Sequence, residues 1–107
     1  MEYKLGEFEE IVLLLVAVQF KEAYGLSITK AIEEELERSV TLSSVHTALY
    51  RLEEKGFVKS EIGGATSERG GRRKRLFTIT ATGLKALEAS REVRNQLWNM
   101  IPKTAMG

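Results

Sequence analysis

The densest chemistry in this chain is cationic. Arg69, Arg72, Arg73, Lys74 and Arg75 fall within seven residues, and no acid lies between the first and the last. Glycines at 70 and 71 sit inside the cluster, so its backbone can follow a ligand closely. Such a segment neutralises phosphates and releases their counterions; the plain alternative is a solvated charged loop. A second group is polar and falls at helical spacing: Ser43, Ser44, His46, Thr47, Tyr50 and Arg51. Small hydroxyls, an imidazole, a phenol and a guanidinium can donate to phosphates or read base edges without crowding a groove. The alternative here is an ordinary solvated helix face. Tyr50 can use its hydroxyl on a phosphate or pack its ring on its own domain, and His46 can contact DNA or be a surface histidine without a role.

Neither group is a catalytic set. The chain holds no cysteine and one histidine, which excludes disulfides, thiolate metal sites and a Cys–His nucleophile pair. No paired carboxylates or metal-ligand cluster stand out, so no enzyme and no cofactor are expected. The Gly-rich stretch 63–71 has no glycine followed by Lys-Ser or Lys-Thr, so it is not a phosphate-binding loop of the nucleotide-hydrolase kind. The net charge of +1 hides a segregation: residues 1–54 carry 5 Lys/Arg against 11 Asp/Glu, and residues 55–107 carry 11 against 4. Local charge of this kind steers a polyanion even when the total is near zero.

These groups need elements to carry them. The apolar run Ile11–Val18 is too short for the ~20 residues that span a bilayer. It reads as a helix from about Glu7 to Phe20, buried on nearly all sides. Glu7, Glu9 and Glu10 sit in its first turn, where the helix dipole favours acids. With no basic cluster before the run and no small-residue cleavage site after it, the expectation is cytoplasmic residence and no membrane. A second helix is expected from about Leu26 to Arg38, with Ile28, Ala31, Ile32 and Leu36 inward. A third follows Thr41 as N-cap, with Leu42, Val45, Leu49 and Leu52 as its apolar stripe and Gly56 at its end. Its polar face is the second group above.

After Gly56 the period changes to alternation. Residues 57–62 and Lys74–Ile79 read as two strands of a hairpin whose long loop is the basic, Gly-rich stretch. Thr80 can cap a last helix from about Ala81 to Ile101, ended by Pro102. Along it Ala86, Ser90, Val93, Leu97 and Met100 alternate spacings of four and three, a coiled-coil seam. Leu84, Leu87, Trp98 and Ile101 widen the surface into two apolar faces, one for its own domain and one for a second copy.

Three helices, a hairpin and a long helix make the fold mainly α with a small β-hairpin wing: a winged helix-turn-helix with a long C-terminal dimerisation helix. Residues 1–80 form the DNA-binding domain and residues 81–107 the dimerisation helix, in one compact unit. In this plan the third helix enters the major groove and the wing reaches phosphate.

The sequence resembles the PadR-like transcriptional regulators. The likeness lies in Leu5-Gly6-Glu7, Tyr24-Gly25, Ala48-Leu49-Tyr50-Arg51-Leu52-Glu53 with Lys55-Gly56, Gly70-Gly71-Arg72-Arg73-Lys74, and Ile79-Thr80-Ala81-Thr82-Gly83, in register from Leu5 to Val93. The resemblance implies a homodimer on double-stranded operator DNA that usually represses, paired through its last helix. Two departures matter: His46-Thr47 stands where the family often has Tyr-Pro, and Arg73 where it often has proline. Val93, Leu97, Trp98, Met100 and Ile101 are the expected dimer or effector surface. A flat aromatic or hydrophobic effector held between two copies of Trp98 is the sharper expectation, and plain dimer packing the simpler one. The alternative function is a winged helix that binds only other proteins.

Overall fold

A computed structural model describes residues 5–65 and 73–107. The order is α1 (Glu7–Val18), α2 (Gly25–Leu36), α3 (Leu42–Glu54), β1 (Val58–Ala65), β2 (Arg73–Ile79) and α4 (Ala81–Met100), closing on a 3-10 turn at Lys103–Met106. The expected fold class is the observed one: mainly helical, with one antiparallel two-stranded hairpin. The expected wing residues Arg69 and Arg72 lie outside the described residues.

Local chemistry places the helix ends. At α2 the Tyr24 amide donates to the Ser27 hydroxyl at 3.0 Å, which satisfies the chain just before the first turn. Glu37 then leaves the helix in the left-handed region, φ 50°. Thr41 caps α3 as expected: its hydroxyl accepts from the Ser44 amide at 3.0 Å. Gly56 takes φ 78°, which releases the chain from α3 into β1 at little steric cost.

The hairpin pairs Val58 with Ile79, Ser60 with Phe77 and Ile62 with Arg75. Its register shifts between Ile62 and Ala65, so β1 runs three residues beyond its expected end. A third segment joins it. The Phe77 amide donates to the Ala23 carbonyl at 2.8 Å, so the residue before Tyr24 forms a one-residue bridge to β2.

One core lies between the helices and the hairpin. Val12, Leu13 and Val16 of α1, Ile28 and Ile32 of α2, and Val45, Ala48, Leu49 and Leu52 of α3 are buried with Phe57, Val58, Phe77, Ala86 and Leu87. Burying a side chain of this size gains about 1.5–3 kcal/mol, and α3 contributes a full stripe because it packs against α1, α2 and β1. Several expectations are corrected here. α1 is not buried on nearly all sides: Leu14 is 46% and Val18 75% exposed. Leu36 and Leu42 are also exposed, since each sits at a helix end where no neighbour overlaps it. α4 divides by length rather than by face. Gly83, Ala86 and Leu87 are buried, while every residue from 91 to 100 is exposed.

The start of α4 is keyed to the end of α3. The Thr80 hydroxyl donates to the Gly56 carbonyl at 2.6 Å and accepts from the Gly83 amide at 3.0 Å. The Thr80 amide donates to the Phe57 carbonyl at 2.9 Å. A Cβ on Gly83 would lie 2.2 Å from that same carbonyl oxygen, which is backbone and cannot swing away. Gly83→Ala is therefore expected to cost about 2 kcal/mol through overpacking. The check is a thermal melt, where the loss should lower Tm by about 10 °C; an unchanged Tm would mean that α4 starts elsewhere.

Candidate nucleic-acid interface

The outward face of α3 stands beside the edge of β2. Ser43, Ser44, Thr47, Tyr50 and Arg51 are exposed, as expected from the stripe on the opposite side. They are not equivalent. The Ser44 hydroxyl donates to the Thr41 carbonyl at 2.9 Å, and the Thr47 hydroxyl donates to the Ser43 carbonyl at 3.0 Å. Both oxygens still have lone pairs to offer, but their protons are engaged within the helix. The Ser43 side chain, the Tyr50 phenol and the Arg51 guanidinium face outward with no hydrogen bond to the described residues.

His46 departs from its expected placement. It is half-buried rather than outward, and its ring lies against the first residue of α2. A Cβ on Gly25 would sit 2.1 Å from Nε2 and 2.5 Å from Cδ2 of His46. The Tyr50 ring follows at 6.2 Å between centroids. Tyr50 also meets the buried Phe77 ring edge-on at 6.4 Å. Its ring therefore packs on its own domain, one of the two readings that were open, although the residue is 49% exposed.

Between α2, α3 and β2 lies a cleft of about 220 Å³. Its walls are Tyr24, Gly25, Leu26, Leu42, His46, Tyr50, Arg73, Lys74, Arg75 and Phe77, with no carboxylate among them. The two groups singled out in the sequence therefore meet here, the cations from β2 and the polar face from α3. Lys74 is held over the Tyr24 ring, with Nζ 4.3 Å from the centroid, a cation–π contact. Arg75 is differently engaged. Its guanidinium donates to the Ser60 hydroxyl at 3.1 Å, and that hydroxyl donates to the Glu53 carboxylate at 2.6 Å. The chain of bonds ties the last turn of α3 to both strands. Arg73 is exposed and, like Lys74, has no carboxylate partner among the described residues.

Three acids in the first turn of α1 are paired with cations from other elements. Glu9 pairs with Lys55, Glu7 with Arg38 at 3.2 Å and Glu10 with Arg94 at 3.2 Å. Such pairs add little stability, but each sets a cation against its acid; Glu7 and Glu9 themselves border Ser44, Thr47 and Arg51. The sequence reading missed Tyr24 as a site residue. The Tyr24-Gly25 pair was visible, but the bridge between Ala23 and Phe77 that brings it to Lys74 is a tertiary contact with no local signal.

Among the described residues no group of three His, Asp or Glu could hold a metal, and no helix is long and apolar enough to cross a membrane. Val93, Leu97, Trp98 and Met100, the expected dimer or effector surface, are each more than half exposed on the free half of α4, and Ile101 follows at 38%.

Comparison with known proteins agrees with this arrangement. Residues 13–89 match the transcriptional regulator PadR-like family. The fold is similar to that of a PadR-like transcriptional regulator from Bacillus cereus, at 18% identity over 94% of this chain and 92% of that one, TM-score 0.73. It is also similar to a PadR-like transcription factor from Bacteroides fragilis, at 23% identity over 89% of each chain, TM-score 0.69. A PadR family regulator from Eggerthella lenta gives 22% identity over 87% of this chain and 80% of that one, TM-score 0.66. At these identities the structural likenesses speak for the fold. No curated protein matches the chain. The family match spans more than half of the sequence, including all of α2, α3 and the hairpin, and on that ground the chain belongs to the PadR-like family of transcriptional regulators, which are DNA-binding proteins and not enzymes.

Proposed function

We propose that the chain is a homodimeric, operator-specific regulator, a repressor released by a small-molecule effector, working in the cytoplasm. The observation that carries the DNA reading is the carboxylate-free cleft where the outer face of α3 meets Arg73, Lys74 and Arg75. In this reading Ser43, Thr47, Tyr50 and Arg51 enter the major groove, with Ser44 near its edge. Arg73 and Lys74 take phosphate, and Arg69 and Arg72, which lie outside the described residues, add to the same cationic group in the sequence. Arg75 contributes its charge while its fork stays on Ser60.

The dimer is supported by the free half of α4. Val93, Leu97, Trp98, Met100 and Ile101 are large apolar side chains exposed near one end of the helix, and clustered exposed apolar surface marks interaction sites. A second copy of the same helix covers it most simply, because a two-fold contact matches one patch to itself. Two copies of α3 would then meet successive major grooves, about 34 Å apart. An effector is supported by Trp98, whose ring is 60% exposed and offers a stacking face where two subunits meet.

Arg73→Ala and Lys74→Ala are each expected to weaken binding to operator and random DNA alike and to lower the salt slope by about 0.9. Fluorescence anisotropy across a salt series measures this, and an unchanged slope would remove that cation from the interface. Leu97→Glu is expected to cost at least about 2 kcal/mol of association and to leave monomers in sedimentation velocity. A dimer that survives the change would place the contact elsewhere. Planar aromatic compounds are expected to quench Trp98 fluorescence saturably. By calorimetry Trp98→Ala should weaken their binding about fivefold; identical isotherms for the two proteins would take Trp98 out of the effector site.

A further inference from the structure

We propose that His46 is a positioning residue of the DNA-reading helix: its imidazole is keyed into the notch left by Gly25 and sets how α3 lies on α2. The inference rests on the reading of α3 as the helix that meets DNA, and it assigns His46 a part other than reading a base.

The geometry is specific. Gly25 is the first residue of α2 and is buried. The space where its side chain would start is filled by His46, with Nε2 2.1 Å and Cδ2 2.5 Å from an ideal Cβ. These separations are shorter than any real carbon contact, so the two helices approach as they do only because residue 25 has no side chain. The notch has rigid walls. The Gly25 carbonyl accepts from the buried Thr29 hydroxyl at 2.8 Å, which anchors the first turn of α2. The preceding Tyr24 is fixed through its amide to Ser27 at 3.0 Å. Beside the imidazole, tilted by 44° to it, stands Tyr50, itself edge-on to Phe77. The imidazole thus joins Gly25 of α2 to a run of tilted and edge-on ring contacts that ends on the buried Phe77.

A side chain at 25 has one cheap escape: the ring of His46 must swing out of the notch. The cleft of about 220 Å³ that His46 itself lines, beside Tyr50, Arg73 and Lys74, is open to it. A displaced ring would therefore occupy the surface that approaches DNA. Glycine at 25 and a flat side chain at 46 are a matched pair, and the chemistry of the imidazole nitrogens matters less than its shape.

The test uses the full-length protein and its own upstream DNA, with random DNA as control. His46→Ala and Gly25→Ala are each expected to lose about tenfold in affinity. The double variant should be no weaker than His46→Ala alone, because the displaced ring is gone, a coupling of the kind contacting residues show. His46→Phe keeps a flat ring without nitrogens and should stay within about threefold of the unchanged protein. Independently of DNA, NMR of the free protein should show cross-peaks between the His46 ring protons and the Gly25 α-protons, lost in Gly25→Ala. The inference is overturned if His46→Phe is as damaging as His46→Ala on the upstream DNA while random DNA is unaffected, since that is base reading. It is also overturned by additive losses in the double variant, or by missing cross-peaks. An unchanged protein that binds no DNA at all, with the cross-peaks present, would instead overturn the DNA reading and leave the keyed contact as packing alone.

Discussion

The burial of Phe77 holds the candidate interface together. Its ring is 2% exposed and is among the largest side chains fully inside the core, and its amide bonds to the Ala23 carbonyl at 2.8 Å. One residue of β2 thus joins the hairpin to the entry of α2 by a hydrogen bond and to α3 by packing. A two-stranded hairpin is marginal by itself; here it is a third wall of the core. Lys74 meets Tyr24, and Tyr50 meets an aromatic edge, because Phe77 is where it is. Residues distant in sequence are thereby brought to one cleft.

Charge follows the same geometry. The acid-rich first half of the chain would repel a polyanion if its carboxylates faced the cleft. They do not. Glu7, Glu9 and Glu10 lie at the start of α1, where the helix dipole favours them, and each is paired to a cation from another element. Glu53 is turned toward Ser60 and through it to Arg75. A near-neutral protein can therefore present a locally cationic cleft, with no carboxylate in its lining and the three acids that open α1 paired to neighbouring elements.

The long last helix is two things in sequence. Its first turns are locked to the Gly56–Phe57 backbone by Thr80 and by the absence of a side chain at Gly83. Its last turns, residues 91 to 100, are exposed throughout. About 30 Å of helix begins rigidly on the domain that carries α3 and ends in apolar side chains. The Arg94–Glu10 pair ties the second half of this helix to α1, which in turn packs on α3.

Much of the fold was legible in the residues themselves. Thr41, Gly56 and Thr80 mark boundaries because capping hydroxyls and left-handed glycines act on their immediate neighbours. The stripe Val45, Leu49, Leu52 and the alternation after Gly56 reveal periods of helix and strand for the same local reason. The polar face of α3 and the cations of β2 were legible as candidates too. What the sequence could not say is which candidates meet, and how. His46 was placed outward by its spacing, yet it is drawn inward by a vacancy at Gly25, twenty-one positions away. Leu14 and Val18 belong to the most apolar run and are nevertheless exposed, because burial depends on whether a neighbour arrives and not on hydrophobicity. Tyr24 joins the cleft through a bridge between Ala23 and Phe77. Caps and periods are written in bonds to adjacent residues; notches, bridges and uncovered faces exist only once separate elements have packed, so only the tertiary structure decides them.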